Sequence, residues 1–185
     1  MKIIILGAGQ VGASLAESLV SEENDITIVD TDAGRLAHLQ DRLDLRAVTG
    51  NAAWPSVLRN AGADDADLLI AVTQSDQTNL VACKVAKSVF NLPTRIARLR
   101  SGDFLRNEVL LSDENFAVDF ALCPEEIVTD YVAKLVEFPE ALQVVEFANG
   151  RVTLVGVKAY EGGLLVGKPI NAMRDHFPPG IEQAG

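Results

Sequence analysis

The chain has 185 residues, 48% of them hydrophobic, and a formal net charge of −10 at pH 7. That length suffices for one domain and part of a second. The acidic balance opposes binding to the phosphates of nucleic acid and adhesion to an anionic membrane surface, and it is compatible with a basic protein partner. No apolar run approaches the length of a membrane span, and Met1-Lys2 leads straight into a strand pattern without a signal-peptide cleavage site. Cys83 and Cys123 make neither a metal-site nor a disulfide-framework spacing, which points to a reducing cytoplasm.

In chain order, residues 3–6 are apolar and predict a strand. Residues 11–21 predict a helix with Val11, Leu15 and Leu19 on one side. Residues 26–29 predict a second strand closed by Asp30, and 33–42 a helix with Leu36, Leu39 and Leu43 spaced for burial. A third strand is expected at 45–49, and Pro55 suits the first turn of a short helix to residue 58. Residues 68–72 are apolar throughout, as in a strand covered on both faces. Asp76 is a candidate cap for a helix over 78–89, in which Cys83 reads as a small core residue. Pro93 ends that connection. A strand at 94–99, a helix at 105–111, a strand at 116–122 and a long helix from Pro124 to residue 138 follow. This alternation predicts an α/β fold: a Rossmann-like, doubly wound parallel sheet with right-handed crossovers. His38 is assigned to a solvated face and Trp54 to packing. Asp64-Asp65 and Glu125-Glu126 are read as charges at helix N-termini, where they complement the dipole.

The pattern changes after residue 138. Residues 141–148 and 151–157 flank Asn149-Gly150, a hairpin signal. Gly162-Gly163 marks another turn, residues 170–173 a short helical stretch, and Pro178-Pro179-Gly180 a breaker. A hairpin with one short helix buries little surface. Residues 139–185 are therefore expected to begin a small α+β domain that is cut short at Gly185, after a first domain spanning 1–138.

The most specific motif is Gly7-Ala8-Gly9-Gln10-Val11-Gly12, between the first strand and the first helix, with Asp30 ending the second strand. In this pattern Gly7 allows a tight turn, Gly9 lets the backbone approach a pyrophosphate, and Gly12 lets the helix sit close to the strand. The helix presents free N–H groups and its positive dipole end to the anion. Asp30 can accept hydrogen bonds from both ribose hydroxyls and repels a 2′-phosphate, which favours NAD, ADP or ATP over NADP. A Gly-rich packing turn with Asp30 as a loop acid is the alternative.

Ligands of open α/β sheets sit beyond the C-terminal strand ends. Thr73 and Gln74 follow the fourth strand there and suit a pyrophosphate or second ribose; simple loop polarity is the other reading. Asp76 and Asn79 are either ligand contacts or helix caps. Arg98, inside the fifth strand, needs a charged partner, either a bound phosphate or an internal Asp or Glu. Arg100, on the same strand face, is assigned to a domain or subunit contact. Neither His38 nor His176 has a partner that marks a general base.

Several segments together resemble the RCK/KTN domain family, cytosolic regulators of potassium channels and transporters. They are Ile4-Ile5-Leu6-Gly7-Ala8-Gly9-Gln10-Val11-Gly12, Val29-Asp30-Thr31-Asp32, Gly50-Asn51-Ala52, Leu58-Arg59-Asn60-Ala61-Gly62, Ala66-Asp67-Leu68-Leu69-Ile70-Ala71-Val72-Thr73, Asp76-Gln77-Thr78-Asn79-Leu80 and Ala97-Arg98-Leu99-Arg100. Cys123-Pro124-Glu125 and the hairpin fit the junction with the family's C-terminal domain. The resemblance implies a nucleotide-binding RCK-N domain followed by a partial RCK-C domain. It implies that Gly7, Ala8, Gly9, Gln10 and Val11 hold phosphates, that Asp30 holds the adenosine ribose, and that Arg98 reaches a nucleotide phosphate. Asn51, with Ala52 beside it, falls where the family contacts the adenine or ribose side. The family has an acid at that position, so a turn or cap role for Asn51 stays open. The implied ligand is NAD or NADH, with ATP or ADP at the same site. The implied partners are a membrane-embedded potassium transporter subunit of the Trk type and further copies of the chain, as a dimer or ring of dimers. The place would be peripheral, on the cytoplasmic face of the inner membrane, with no nucleic acid bound and no catalysis. An NAD-dependent oxidoreductase is the competing function, but no Lys-Tyr pair or His-Asp set announces itself. A redox-sensing transcription regulator is disfavoured by the acidic balance and the lack of a helix-turn-helix segment.

Overall fold

A computed structural model describes residues 1–20, 22, 24–138, 141–148, 150–162, 166 and 167. The chain divides into two compact units, Met1–Ile127 and Val128–Gly185. The first alternates through β1 (Lys2–Leu6), α1 (Gln10–Val20), β2 (Asp25–Asp30), α2 (Ala33–Gln40), β3 (Arg46–Thr49), α3 (Pro55–Asn60), β4 (Leu68–Ala71), α4 (Asp76–Phe90), β5 (Thr94–Arg98), α5 (Gly102–Leu105) and β6 (Phe120–Leu122). These strands pair in parallel in the order β3-β2-β1-β4-β5-β6, the doubly wound arrangement that the alternation predicts. The winding reverses between β1 and β4, and a crevice opens at the carboxyl ends there.

Both sheet faces are covered, which explains the unbroken apolar strands. Period-two alternation sends Ile3 and Ile5 to one face, where they join Ala16 of α1 and Leu36 and Leu39 of α2. Ile4 and Leu6 face the other way and join Leu58 of α3 and Leu80, Ala82 and Cys83 of α4. Burial pushes the Cys83 thiol up to about 12, so it stays protonated and inert.

Several boundaries differ from expectation for local reasons. The cap of α4 is Ser75, whose hydroxyl accepts from the Thr78 amide at 3.2 Å. Asp76 instead accepts from the amides of Arg100 and Ser101. The expected helix over 105–111 is reduced to a 3₁₀ turn at Glu108–Leu111, and α5 ends at Leu105 before it. The sixth strand starts at Phe120 rather than at residue 116, since Ala117 takes a left-handed φ of 56° that breaks the extended run. Asp64 and Asp65 lie after α3 and pair with Arg59 and Lys2 rather than opening a helix. His38 is exposed as expected, and Trp54 is 59% exposed.

The turn at Ala117 is held by Arg95 of β5, a residue that the motifs and strand pattern do not single out. It is 1% exposed. Its guanidinium donates to the carbonyl oxygens of Leu92 and Ala117, and to carboxylate oxygens of Asp113 and Asp119, both at 2.9 Å. Asp119 also accepts from the Arg95 amide at 2.7 Å. A buried guanidinium is stable only when its donors are met in this way.

The helix α6 (Pro124–Glu137) starts with Glu125 and Glu126 in its first turn, as expected, and the division between the units falls within it. In the second unit β7 (Ala141–Phe147) pairs antiparallel with β8 (Val152–Val157), and Lys134 pairs with Glu146 at 2.7 Å. Gly150 turns with φ of 78°. Asn149, Gly163, the expected helical stretch at 170–173, His176, the breaker at 178–180 and Gly185 lie outside the described residues.

Arg95→Met should lower the unfolding free energy by about 2–4 kcal/mol, because two carboxylates and two carbonyls lose their common donor. Urea denaturation monitored by circular dichroism measures this.

Candidate functional site

The carboxyl ends of β1, β2, β3 and β4 open on a cleft of about 250 Å³. Its floor is the turn after β1. Gly7 adopts φ of +107°, and its amide donates to Val29 O at 2.7 Å. A Cβ on Gly7 would press within 3.1 Å of the Val72–Thr73 backbone. A Cβ on Gly12 would overlap the Gly7 carbonyl oxygen, so α1 packs directly on the turn. Gly9 is different: a Cβ there would meet nothing within 4 Å. Two of the three glycines are needed for packing, and the third keeps the cleft open.

Asp30 locks the turn to the next strand. One carboxylate oxygen accepts from the Ala8 amide at 2.6 Å and the other from the Asp32 amide at 2.8 Å. A carboxylate has about four lone-pair directions, so further acceptor capacity remains for a ligand. Asp32 then caps α2, accepting from the amides of Gly34 and Arg35 at 2.9 and 3.1 Å.

The cleft brings together Gly7, Gly9, Asp30, Asn51, Ala52, Thr73 and Gln74 of the expected residues. Gln10, Val11 and Gly12 form the first turn of α1, directly after Gly9, without lining the cleft. Ala8 is buried and takes part through its amide. Asn51 also serves the turn, its side-chain oxygen accepting from the Ala53 amide at 2.9 Å. Asn79 is fully buried and off the lining. Its oxygen accepts from the Thr73 amide and hydroxyl at 3.0 and 2.7 Å, and its nitrogen donates to Arg98 O at 2.8 Å. It positions Thr73 and ties β4 to β5.

Arg98 is also off the lining. It donates to Glu125 at 2.8 Å, the internal ion pair that is one of the two roles expected for it, while its Nε is buried without a hydrogen-bond partner among the described residues. The Glu125 carboxyl is held below its ordinary range, first by its own backbone amide and then by Arg98. Thr31, Arg35, Ser75 and Thr78 also line the cleft, although the sequence pattern does not select them. Thr31 and Ser75 lie in the loops after β2 and β4, so the strand-end rule applied to Thr73 could have found them. Arg35 and Thr78 lie beyond that rule, in the first turns of α2 and α4.

The site therefore offers backbone amides at a helix start, a carboxylate, hydroxyls, amides and one guanidinium. Among the described residues no cluster of three or more His, Cys, Asp or Glu could hold a metal ion, and no helix is long and apolar enough to cross a membrane.

The doubly wound sheet with this glycine turn after β1 and an acid at the end of β2 is a Rossmann-like domain. The TrkA-N domain model matches residues 3–115, and the chain belongs to that family. It is 56% identical over 179 residues to the Trk system potassium uptake protein TrkA of Vibrio alginolyticus, a match covering 96% of this chain and 39% of that protein. The chain thus spans about two fifths of the length of that curated relative. Among solved structures, it is similar to the TrkA-N domain of the inner membrane protein ybaL from Escherichia coli. The TM-score is 0.64 at 21% identity, over 73% of this chain and 96% of that one. It is also similar to the GsuK channel bound to NAD, with TM-score 0.63 at 16% identity, over 80% of this chain and 25% of that one. Both likenesses concern the fold.

The second and third glycine positions should separate in experiment. Gly12→Ala should destabilise the chain by about 1–3 kcal/mol through overpacking, whereas Gly9→Val should change stability by less than about 1 kcal/mol. Thermal unfolding of both variants checks this.

Proposed function

We propose that the chain is the nucleotide-sensing part of a cytosolic regulatory subunit that gates a membrane potassium transporter of the Trk type. It binds NAD or NADH, and ATP or ADP compete for the same site. The observation that carries the reading is the 2.6 Å hydrogen bond from the Ala8 amide to Asp30 at the mouth of a cleft that Gly9 leaves open. The fit to a dinucleotide follows from the donor set. The amides from Gly9 onward, at the start of α1, suit a pyrophosphate, while Ala8 takes part by holding Asp30. Asp30 suits the adenosine ribose, Asn51 and Ala52 flank that end, and Thr73 and Gln74 suit the second phosphate or ribose. Asn79 acts through Thr73. Arg98 serves a phosphate by exchanging or sharing its pair with Glu125.

The NAD bound to the GsuK channel and the potassium-uptake role named for the Vibrio alginolyticus relative support this reading. Residues after 138 are read as part of an RCK-C domain. The chain works as a dimer or ring of dimers, peripheral on the cytoplasmic face of the inner membrane, beside the transporter subunit, without nucleic acid and without catalysis. Regulation requires that the bound nucleotide favour one arrangement of the paired domains, since a ligand shifts an equilibrium only by its differential affinity.

The test is calorimetric titration with NAD, NADH, ATP and ADP, together with absorbance at the nicotinamide band. Binding without turnover is expected, and Asp30→Ala should weaken NADH and ADP by about a hundredfold, or about 2.7 kcal/mol. Wild-type affinity in a folded Asp30→Ala chain would overturn the assignment. Steady oxidation of NADH with a carbonyl substrate would favour the oxidoreductase instead.

A further inference from the structure

The adenosine end of the cleft is built from both faces of the sheet. Arg35 comes from α2, which packs with α1 over Ile3, Ile5, Ile26 and Ile28. Asn51 and Ala52 lead from β3 toward α3, which packs on the opposite face with Leu58 against Ile4 and Leu6. The Gly50 amide donates to Asp30 O at 2.9 Å and holds this second wall to the end of β2. Arg35, Gly50, Asn51 and Ala52 line the same cleft as Asp30.

The Arg35 side chain is about half exposed, at 51%, so its guanidinium stays accessible from the cleft. Asp32 receives the Arg35 amide at 3.1 Å through one carboxylate oxygen, and its other oxygen lies 3.4 Å from the Arg35 Nε. The residue that starts α2 therefore also forms a surface ion pair with the guanidinium beside the cleft. A guanidinium so paired still offers its flat face, and guanidinium planes stack well on aromatic rings. The facing wall supplies Ala52, which is buried and apolar, and Asn51, whose side chain is engaged in its own turn. Among the described ion pairs, Asp32 is the acidic partner of Arg35.

Resting on the nucleotide-binding reading above, we infer that Arg35 stacks on the purine ring, so that the base is clasped between its guanidinium and the Asn51–Ala52 wall. The structure assigns Arg35 to base recognition and Asp30 to sugar recognition. Arg35 then does not read phosphate charge: its contribution is the same for adenosine, AMP, ADP and NAD.

The test is titration of the wild-type chain, Arg35→Ala and Arg35→Lys with adenosine, ADP, NAD and NADPH, with circular dichroism to verify folding. Arg35→Ala should weaken adenosine, ADP and NAD by a common factor of about ten. Arg35→Lys should lose most of that factor as well, since it keeps the charge and loses the plane. If Arg35→Ala leaves adenosine unchanged and weakens NADPH alone, the guanidinium reads a 2′-phosphate and the inference fails. Full affinity in Arg35→Lys would overturn stacking in favour of simple charge. A wild-type chain that binds none of the four would instead remove the nucleotide-binding reading itself, which separates the two failures.

Discussion

The carboxylate of Asp30 is the constraint on which the site depends. Its two oxygens hold the amides of Ala8 and Asp32, so the end of β2 clamps the glycine turn on one side and the start of α2 on the other. Gly7 can bear this only because its positive φ brings its amide to Val29 O while the Val72–Thr73 backbone lies directly against it. Gly12 completes the arrangement by letting α1 rest on the Gly7 carbonyl. The loop is therefore set before any ligand arrives, and little ordering entropy remains to oppose binding.

The same economy extends along the strand ends. Asn79 uses its side-chain oxygen and nitrogen to hold Thr73 and Arg98 O, which fixes the loop after β4 against β5. Ser75 caps α4, and Asp76 collects the amides of Arg100 and Ser101. The cleft is thus wired by short hydrogen bonds toward β5 and onward through Arg98 to Glu125 in the first turn of α6.

The sheet and most of its helices were legible because burial on both faces leaves unbroken apolar runs and because glycine spacing marks a unique turn. Boundaries failed where a side chain overruled propensity. Residues 116–119 look like strand, yet the carbonyl of Ala117 turns to meet Arg95. An arginine within a strand must find a charge, and from sequence that requirement was recognised for Arg98. It holds with greater force for Arg95, whose partners lie up to 24 residues away and cannot be paired by inspection of the chain. In the site, the glycines and Asp30 were legible from a local pattern. Arg35 was not, because only the tertiary course of α2 carries it to the cleft.

The most direct measurement is a crystal structure of the chain grown with ADP. The account predicts the diphosphate over Gly9 at the start of α1, the ribose hydroxyls on Asp30, and the bond between Asp30 and the Ala8 amide retained. A nucleotide seated in the larger cavity at the opposite strand ends, lined by Lys2, Asp25 and Arg46, would contradict it. So would a carboxylate of Asp30 swung away from the turn.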